Sequence, residues 1–300
     1  MKYYSSKKRD LGERLTKYEY LHSFSKKLYQ IYSNFFGRFH SLPDFIIIGG
    51  GRCGTTSLYY FLSQHPSLYL PKNKGIRFFD RKFHKGLNWY RLFFPSLLKK
   101  FLVTKIFKKE FITGEATPLY IQFPHTPKRI RSTIPNVKLI AILRNPVNRA
   151  FSQYQSYARS KFEKLSFEEA IRDEEERIKD ELDKITKNEN YSKNFSYEKF
   201  AYKTRSRYAE QLEKWFEFFP KNQFLILSSE EYFFEPQKTA EKIMSFLEIK
   251  HFKFDSKITL GVTNTESSTM DPKIKQELIK YFEPHNKKLF NLIDLEFDWN

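Results

Sequence analysis

Asp44-Phe45-Ile46-Ile47-Ile48-Gly49-Gly50-Gly51-Arg52-Cys53-Gly54-Thr55-Thr56-Ser57-Leu58 is the stretch that decides the fold. Phe45 to Ile48 is a short, wholly apolar run rich in β-branched residues, the pattern of a strand buried on both faces in a parallel sheet. Residues 55 to 64 then place Leu58, Phe61 and Leu62 on one helical face, and His65-Pro66 stops the helix. Between them lie four of the chain's ten glycines, Gly49, Gly50, Gly51 and Gly54. Such a strand, glycine loop and helix lets backbone amides converge on an anion, and the helix N-terminus adds partial positive charge. Gly49 and Gly54 have Walker A spacing, but Thr55 stands where the lysine that grips triphosphate belongs. Arg52 carries the basicity inside the loop instead. Gly49, Gly51 and Gly54 also spell GxGxxG, yet the acid expected about 20 residues on is absent from Leu68-Tyr69-Leu70-Pro71-Lys72.

A second unit of the same kind follows about 90 residues later. Val137 to Leu143 is another apolar strand, leading into Arg144-Asn145-Pro146 and a helix from Val147 to Arg159. Pro146 suits the first helical turn, where its missing N–H is not needed. A strand delivers Arg144 to a loop where its guanidinium fork can hold a phosphate, and Ser152 lies about two turns into the helix. A third strand, Gln223 to Ser228, follows an amphipathic helix (208 to 218) and precedes helices near 229 to 234 and 236 to 247. Strands alternating with helices predict an α/β fold, here a P-loop-like three-layer arrangement with a central parallel sheet flanked by helices.

Around this domain, taken as residues 41–300, composition bounds the partners. Fifty-three Lys and Arg against 35 Asp and Glu give +18, which favours an anionic ligand. Residues 1–40 carry nine basic and three acidic residues at loosely helical spacing and read as a basic helical extension, a candidate for peripheral membrane contact. Residues 163–189, inside a charged helical excursion spanning about 160–200, hold eleven acids and six bases, net −5, and read as a solvated face. The rest of the chain is then at +23. A single cysteine, Cys53, forbids an intrachain disulfide, and no HExxH or Cys/His cluster offers a metal site. No apolar run reaches a membrane span and no secretory signal is present, so the expectation is a soluble, cytoplasmic protein.

The loop segment resembles the 5′-phosphosulfate-binding segment of sulfotransferases that use 3′-phosphoadenosine 5′-phosphosulfate (PAPS), particularly the heparan sulfate and carbohydrate branch. Arg144-Asn145-Pro146-Val147-Asn148-Arg149-Ala150-Phe151-Ser152-Gln153-Tyr154 is similar to that family's 3′-phosphate segment, RNPxxRAxSxY. Phe78-Phe79-Asp80, Gly114-Glu115-Ala116-Thr117-Pro118 and the helix from Tyr208 to Trp215 resemble further family elements in the family's order, and the stretch from Asp271 to Trp299 resembles the branch's closing helices. The resemblance implies a cofactor site built from Gly49, Gly51, Arg52, Cys53, Gly54, Thr55, Thr56 and Ser57 on the phosphosulfate side. It implies Arg144 and Ser152 on the 3′-phosphate, with Tyr208 alongside, and PAP as product. The implied reaction is sulfuryl transfer from PAPS to a hydroxyl or amine, with a saccharide or glycoconjugate acceptor and no metal.

Sulfuryl transfer needs positioned groups, charge stabilisation on the leaving oxygen and removal of the acceptor proton. Arg52 aligns with the lysine assigned to the leaving side; as an arginine it stabilises charge but does not give up a proton near neutrality. The branch's motif KExHFFD reads Lys74-Gly75-Ile76-Arg77-Phe78-Phe79-Asp80 here, so Gly75 stands in place of the glutamate base and Arg77 in place of the histidine. Thr263-Asn264-Thr265 occupies the stretch where the branch carries a lysine-glycine-arginine clamp. Glu115, Asp80 and His84 are the candidate replacements for the base; Phe111 to Thr113 reads as a strand, so Glu115 follows its end and its carboxylate can point into the cleft. Three other readings stand beside the transferase: a PAP/PAPS-binding protein without turnover, a nucleotide-dependent kinase and, on charge alone, a nucleic-acid binder, for which no motif speaks.

Overall fold

Four strands form one parallel sheet: β1 (Phe45–Gly49), β2 (Gly114–Ala116), β3 (Lys138–Leu143) and β4 (Phe224–Ser228), in the order β2-β1-β3-β4. The computed structural model describes residues 28–188, 195–255 and 270–299; the first 27 residues of the basic extension and Thr263-Asn264-Thr265 lie outside them. In register, Phe45 lies opposite Gly114 and Lys138, and Leu143 opposite Ser228. All four strands therefore point their C-terminal ends, and the loops that leave them, at one edge of the sheet.

Period-2 alternation splits the apolar residues between two faces. Ile46, Ile48, Leu139 and Ala141 pack with helix α6 (Tyr208–Phe216) through Tyr208, Leu212 and Trp215, and with Leu289 and Ile293 of the long C-terminal helix α9 (Pro272–Ile293). Phe45, Ile47, Ile140 and Ile142 pack against Leu58, Phe61 and Leu62 of α1 (Thr55–Leu62) and Ile243 and Met244 of α8 (Pro236–Leu247). Each such buried side chain is worth about 1.5–3 kcal/mol. The result is helix, sheet, helix, as the alternation of elements predicts.

Three departures from the sequence reading matter for function. β2 was expected to end at Thr113 with Glu115 beyond it, but the Asp44 carboxylate takes the Thr113 N–H at 2.8 Å and the ladder starts at Gly114. Glu115 is thus inside the strand. The excursion, read as a solvated face, is anchored: among α3 (Phe167–Arg172), α4 (Glu174–Lys187) and α5 (Phe195–Phe200), Glu174 is fully buried and accepts the N–H groups of Lys203 and Thr204 at 2.6 and 2.8 Å. The segment from 271 is one 22-residue helix that runs through Pro284.

The second phosphate-type unit closes as expected. Helix α2 (Pro146–Arg159) opens with Pro146 in its first turn, and the Asn145 side chain accepts the N–H groups of Val147 and Asn148 at 3.0 and 3.2 Å. Asn145 is held in turn: its N–H donates to Glu230 and its side-chain amide to the Trp299 carbonyl.

Candidate anion-binding site

Two loops meet at the C-terminal edge of the sheet. After β1 the Gly50 N–H donates to the Ile142 carbonyl at 2.6 Å, tying the first loop to β3. Gly54 adopts φ 83°, a left-handed turn into α1 that disfavours any other residue. Arg52 also takes a positive φ, 70°, and this backbone turn projects its side chain across to α2. There its Nε and Nη2 donate to the Ser152 hydroxyl at 3.3 and 3.2 Å, while Arg144 Nη1 donates to the Arg52 carbonyl at 3.3 Å. The two segments singled out in the sequence are in direct contact.

Below them, Tyr208 Oη donates to the Arg144 carbonyl at 3.0 Å and meets Cys53 Sγ at 3.6 Å. Burial pushes the Cys53 thiol up, so it is a protonated packing group rather than a nucleophile. Ser57 Oγ bonds Tyr232 Oη at 2.9 Å and Thr55 is buried, whereas Thr56 faces solvent at the mouth of the loop.

The electrostatics are one-sided. Partial burial and the guanidiniums of Arg159 and Arg144 lower the Arg52 pKa. Lys74, half-buried, is pushed down to about 8 by burial and by Arg52. Its segment runs along the C-terminal end of β2, where the Gly75 N–H donates to the Ala116 carbonyl at 2.8 Å. Arg205 approaches from the other side: a Cβ at Gly51 would lie 2.8 Å from its Nη2. Arg205 is in place because Glu174 fixes the two preceding residues and because buried Arg149 bonds Ser206 and the Tyr202 carbonyl. Gathering several cations in one cleft is unfavourable unless an anion completes it.

Glu115, Asp80 and His84, the three base candidates, make no side-chain hydrogen bond or ion pair to either loop among the described residues. Glu115 is wholly buried, its carboxylate accepting the hydroxyls of Tyr90 and Thr117 at 2.6 Å and of Tyr120 at 3.1 Å; burial raises its pKa to about 7. Tyr120 Oη also accepts the Phe78 N–H at 2.9 Å, so Glu115 positions the 74–80 segment rather than reaching a ligand. Asp80 is buried with its pKa raised by desolvation, and Arg77 Nε holds one of its oxygens at 2.5 Å. Arg77 and Arg81 both pair with Glu198, so that carboxylate too is neutralised. His84 is exposed on the turn Phe83–Lys85. Among the described residues no His/Cys/Asp/Glu cluster could hold a metal ion.

Sequence reasoning missed Lys74, Arg205 and Arg159 as members of the site. Lys74 lay in plain view in its motif; nothing local marks the other two.

A profile of the sulfotransferase domain matches residues 42–289. The chain is 30% identical to a membrane-associated sulfotransferase, kil1, of Dictyostelium discoideum, over 88% of this chain and 68% of that protein. It is 28% identical to the mouse heparan sulfate glucosamine 3-O-sulfotransferase 3B1, over 86% of this chain and 65% of that protein. The chain thus spans about two thirds of the length of these relatives. Among solved structures, a sulfotransferase from Alicyclobacillus acidocaldarius superimposes with a TM-score of 0.65 at 28% identity, covering 86% of this chain and 99% of that one.

Proposed function

The chain belongs to the sulfotransferase domain family, and from that premise we propose that it transfers a sulfuryl group from PAPS to a hydroxyl or amine of a saccharide or glycoconjugate. The observation that carries this reading is the contact of Arg52 with Ser152 and of Arg144 with the Arg52 carbonyl, which joins two phosphate-type loops into one cationic cleft. Two separated anionic groups on one ligand, such as a 3′-phosphate and a 5′-phosphosulfate, match two such loops.

The residues fit that ligand. Gly51 leaves open the space a Cβ would fill beside Arg205, and Lys74 and Arg52 lack carboxylate partners among the described residues. When bound, PAPS supplies the activated sulfuryl group. Arg52, Lys74, Arg205 and the loop amides hold the 5′ end and stabilise negative charge on the leaving oxygen. Arg144 would hold the 3′-phosphate with its fork, beside the Ser152 hydroxyl. Glu115 acts at one remove, fixing the segment that carries Lys74. A saccharide acceptor is supported by the names of the heparan sulfate relatives and by the +23 outside the acidic excursion. Thr55 in place of the Walker lysine speaks against a kinase.

The test is transfer of labelled sulfate from PAPS to a panel of saccharides, beside calorimetric titration with PAP. Transfer to any member supports the proposal. One observation favours a second reading: Gly75 puts no carboxylate where the branch expects its base. PAP binding with no transfer to any member would replace the transferase by a nucleotide-binding protein.

A further inference from the structure

Thirteen of the nineteen large hydrophobic side chains exposed among the described residues lie in two short segments, 28–39 and 97–107, which marks these as one feature rather than scatter. The two meet at one joint. The helix over residues 28–36 ends at the turn Gly37–Phe39, His40 then bridges to Ser96, and the helix Leu97–Phe101 starts at once. Phe39 and Leu97, either side of the bridge, are both exposed.

These segments are turned inside out relative to an ordinary surface helix. Lys99 lays its ammonium over the Tyr69 ring, and Lys100 lies over Phe111 and pairs with Asp44, so the lysines hug the body. Leu98 (66% exposed) and Phe107 (63%) point outward. On the first segment Ser33 and Gly37 face the body while Ile31 (65%) and its neighbours face out. Residues 28–43 and 95–109 contain Arg38 and five lysines but no Asp or Glu. A symmetric pairing of two copies through this face would set the exposed Arg38, Lys105, Lys108 and Lys109 of one copy against those of the other, with no acid in either stretch to offset them. A bilayer of anionic lipid satisfies both halves at once, taking the apolar side chains into the headgroup boundary and the cations against phosphate and carboxylate headgroups.

We propose that this face docks on an anionic membrane surface, inserting the outward residues of 28–39 and 97–107. The joint lies at the N-terminal end of β1, just before Asp44, and the anion-binding loops lie at its C-terminal end. The docked molecule therefore holds its cleft away from the lipid, about 16 Å along a five-residue strand, facing soluble nucleotide and the outer parts of surface glycoconjugates.

Co-sedimentation of the full chain with vesicles tests this, using phosphatidylcholine alone and phosphatidylcholine with about a quarter phosphatidylserine. The expected result is binding to the anionic vesicles at least tenfold tighter than to the neutral ones. The double variant Leu98→Ser with Phe107→Ser keeps every charge and should lose at least tenfold in that affinity at an unchanged melting temperature. Ile31→Ser, on the other segment, gives the same reading if the double variant fails to fold. Equal binding of variants and parent would mean that the +18 chain adsorbs by charge alone, and would overturn the proposal. So would a parent that ignores both vesicles while light scattering shows a dimer that the substitutions dissolve.

Discussion

Lys74 makes nucleotide affinity depend on pH near 8. Free, its ammonium is held at about 8 instead of 10.5 by burial and by Arg52. The negative charge of a bound phosphate or phosphosulfate outweighs both influences and raises the amine toward its ordinary value. Binding therefore takes up a proton: affinity is full below pH 8 and falls as pH rises through it, until the value in the complex is passed. From pH 7 to pH 9 the protonated fraction of free Lys74 drops by roughly tenfold while the complex stays protonated, so PAP affinity falls ~10-fold, about 1.4 kcal/mol. The ligand adds little of its own, since its phosphates have a second pKa near 6 and are about nine-tenths doubly ionised by pH 7. Cys53 and Tyr208 are both pushed up by burial and stay protonated. Titration calorimetry in two buffers of different ionisation enthalpy gives both affinity and proton count. Lys74→Met should lose a charge-assisted contact worth about 1.5–3 kcal/mol at pH 7 and show a flat profile. Wild-type affinity changing less than twofold between pH 7 and pH 9, or the same slope in Lys74→Met, would refute the reasoning.

The other sites give equally direct outcomes. Arg144→Ala removes both the fork and the bond to the Arg52 carbonyl, so PAP affinity by calorimetry should fall at least tenfold; a change within twofold would take Arg144 out of the site. In Gly51→Ala the new methyl meets only the flexible end of Arg205, so stability should shift by about 0.5 kcal/mol or less while PAP affinity drops about tenfold as the guanidinium is displaced. Unchanged affinity would show that Arg205 does not face the ligand. Glu115, with its folded pKa near 7 above an ordinary 4.5, binds more protons folded than unfolded between those values, so its contribution to stability is greatest at the acid end and is lost as pH rises through 7. Urea unfolding at pH 5 and pH 8 should show that difference reduced by ~2–3 kcal/mol in Glu115→Gln relative to wild type.

The parallel sheet and the two loops are legible because their signals are local. Phe45 to Ile48 and Leu139 to Leu143 are apolar at every position, which only a strand covered on both faces tolerates, and each runs straight into its anion-binding residues. Arg205 is a different matter. It reaches the Gly51 loop because Glu174, some 30 residues earlier, captures two backbone N–H groups, and nothing within the run Asp173-Glu174-Glu175-Glu176 says which acid turns inward. The start of β2 is set by Asp44, a side chain about 70 residues away in sequence, and that brings Glu115 inside the strand. Boundaries and convergent cations are tertiary facts; apolar runs and glycine loops are not.

Gly75 ties the missing base to the pH behaviour of Lys74. Its backbone sits at φ 78° and a Cβ there would meet nothing within 4 Å, so a side chain is accommodated at a backbone cost of about 1–2 kcal/mol. Gly75→Glu sets a carboxylate beside Lys74, on the segment that Tyr120 and Glu115 hold against the cleft. Gly75→Gln carries the same strain without the charge and serves as the reference. If acceptor deprotonation limits turnover, sulfate transfer by Gly75→Glu should exceed that by Gly75→Gln at least tenfold, since a placed general base contributes about 10²–10⁴. The same carboxylate pairs with the ammonium and keeps Lys74 protonated past pH 9, so the tenfold loss of PAP affinity between pH 7 and pH 9 should vanish in Gly75→Glu and persist in Gly75→Gln. Equal transfer rates would show that the acceptor proton leaves without help from this position, and a pH profile unaltered by the carboxylate would place residue 75 too far from Lys74 for either role.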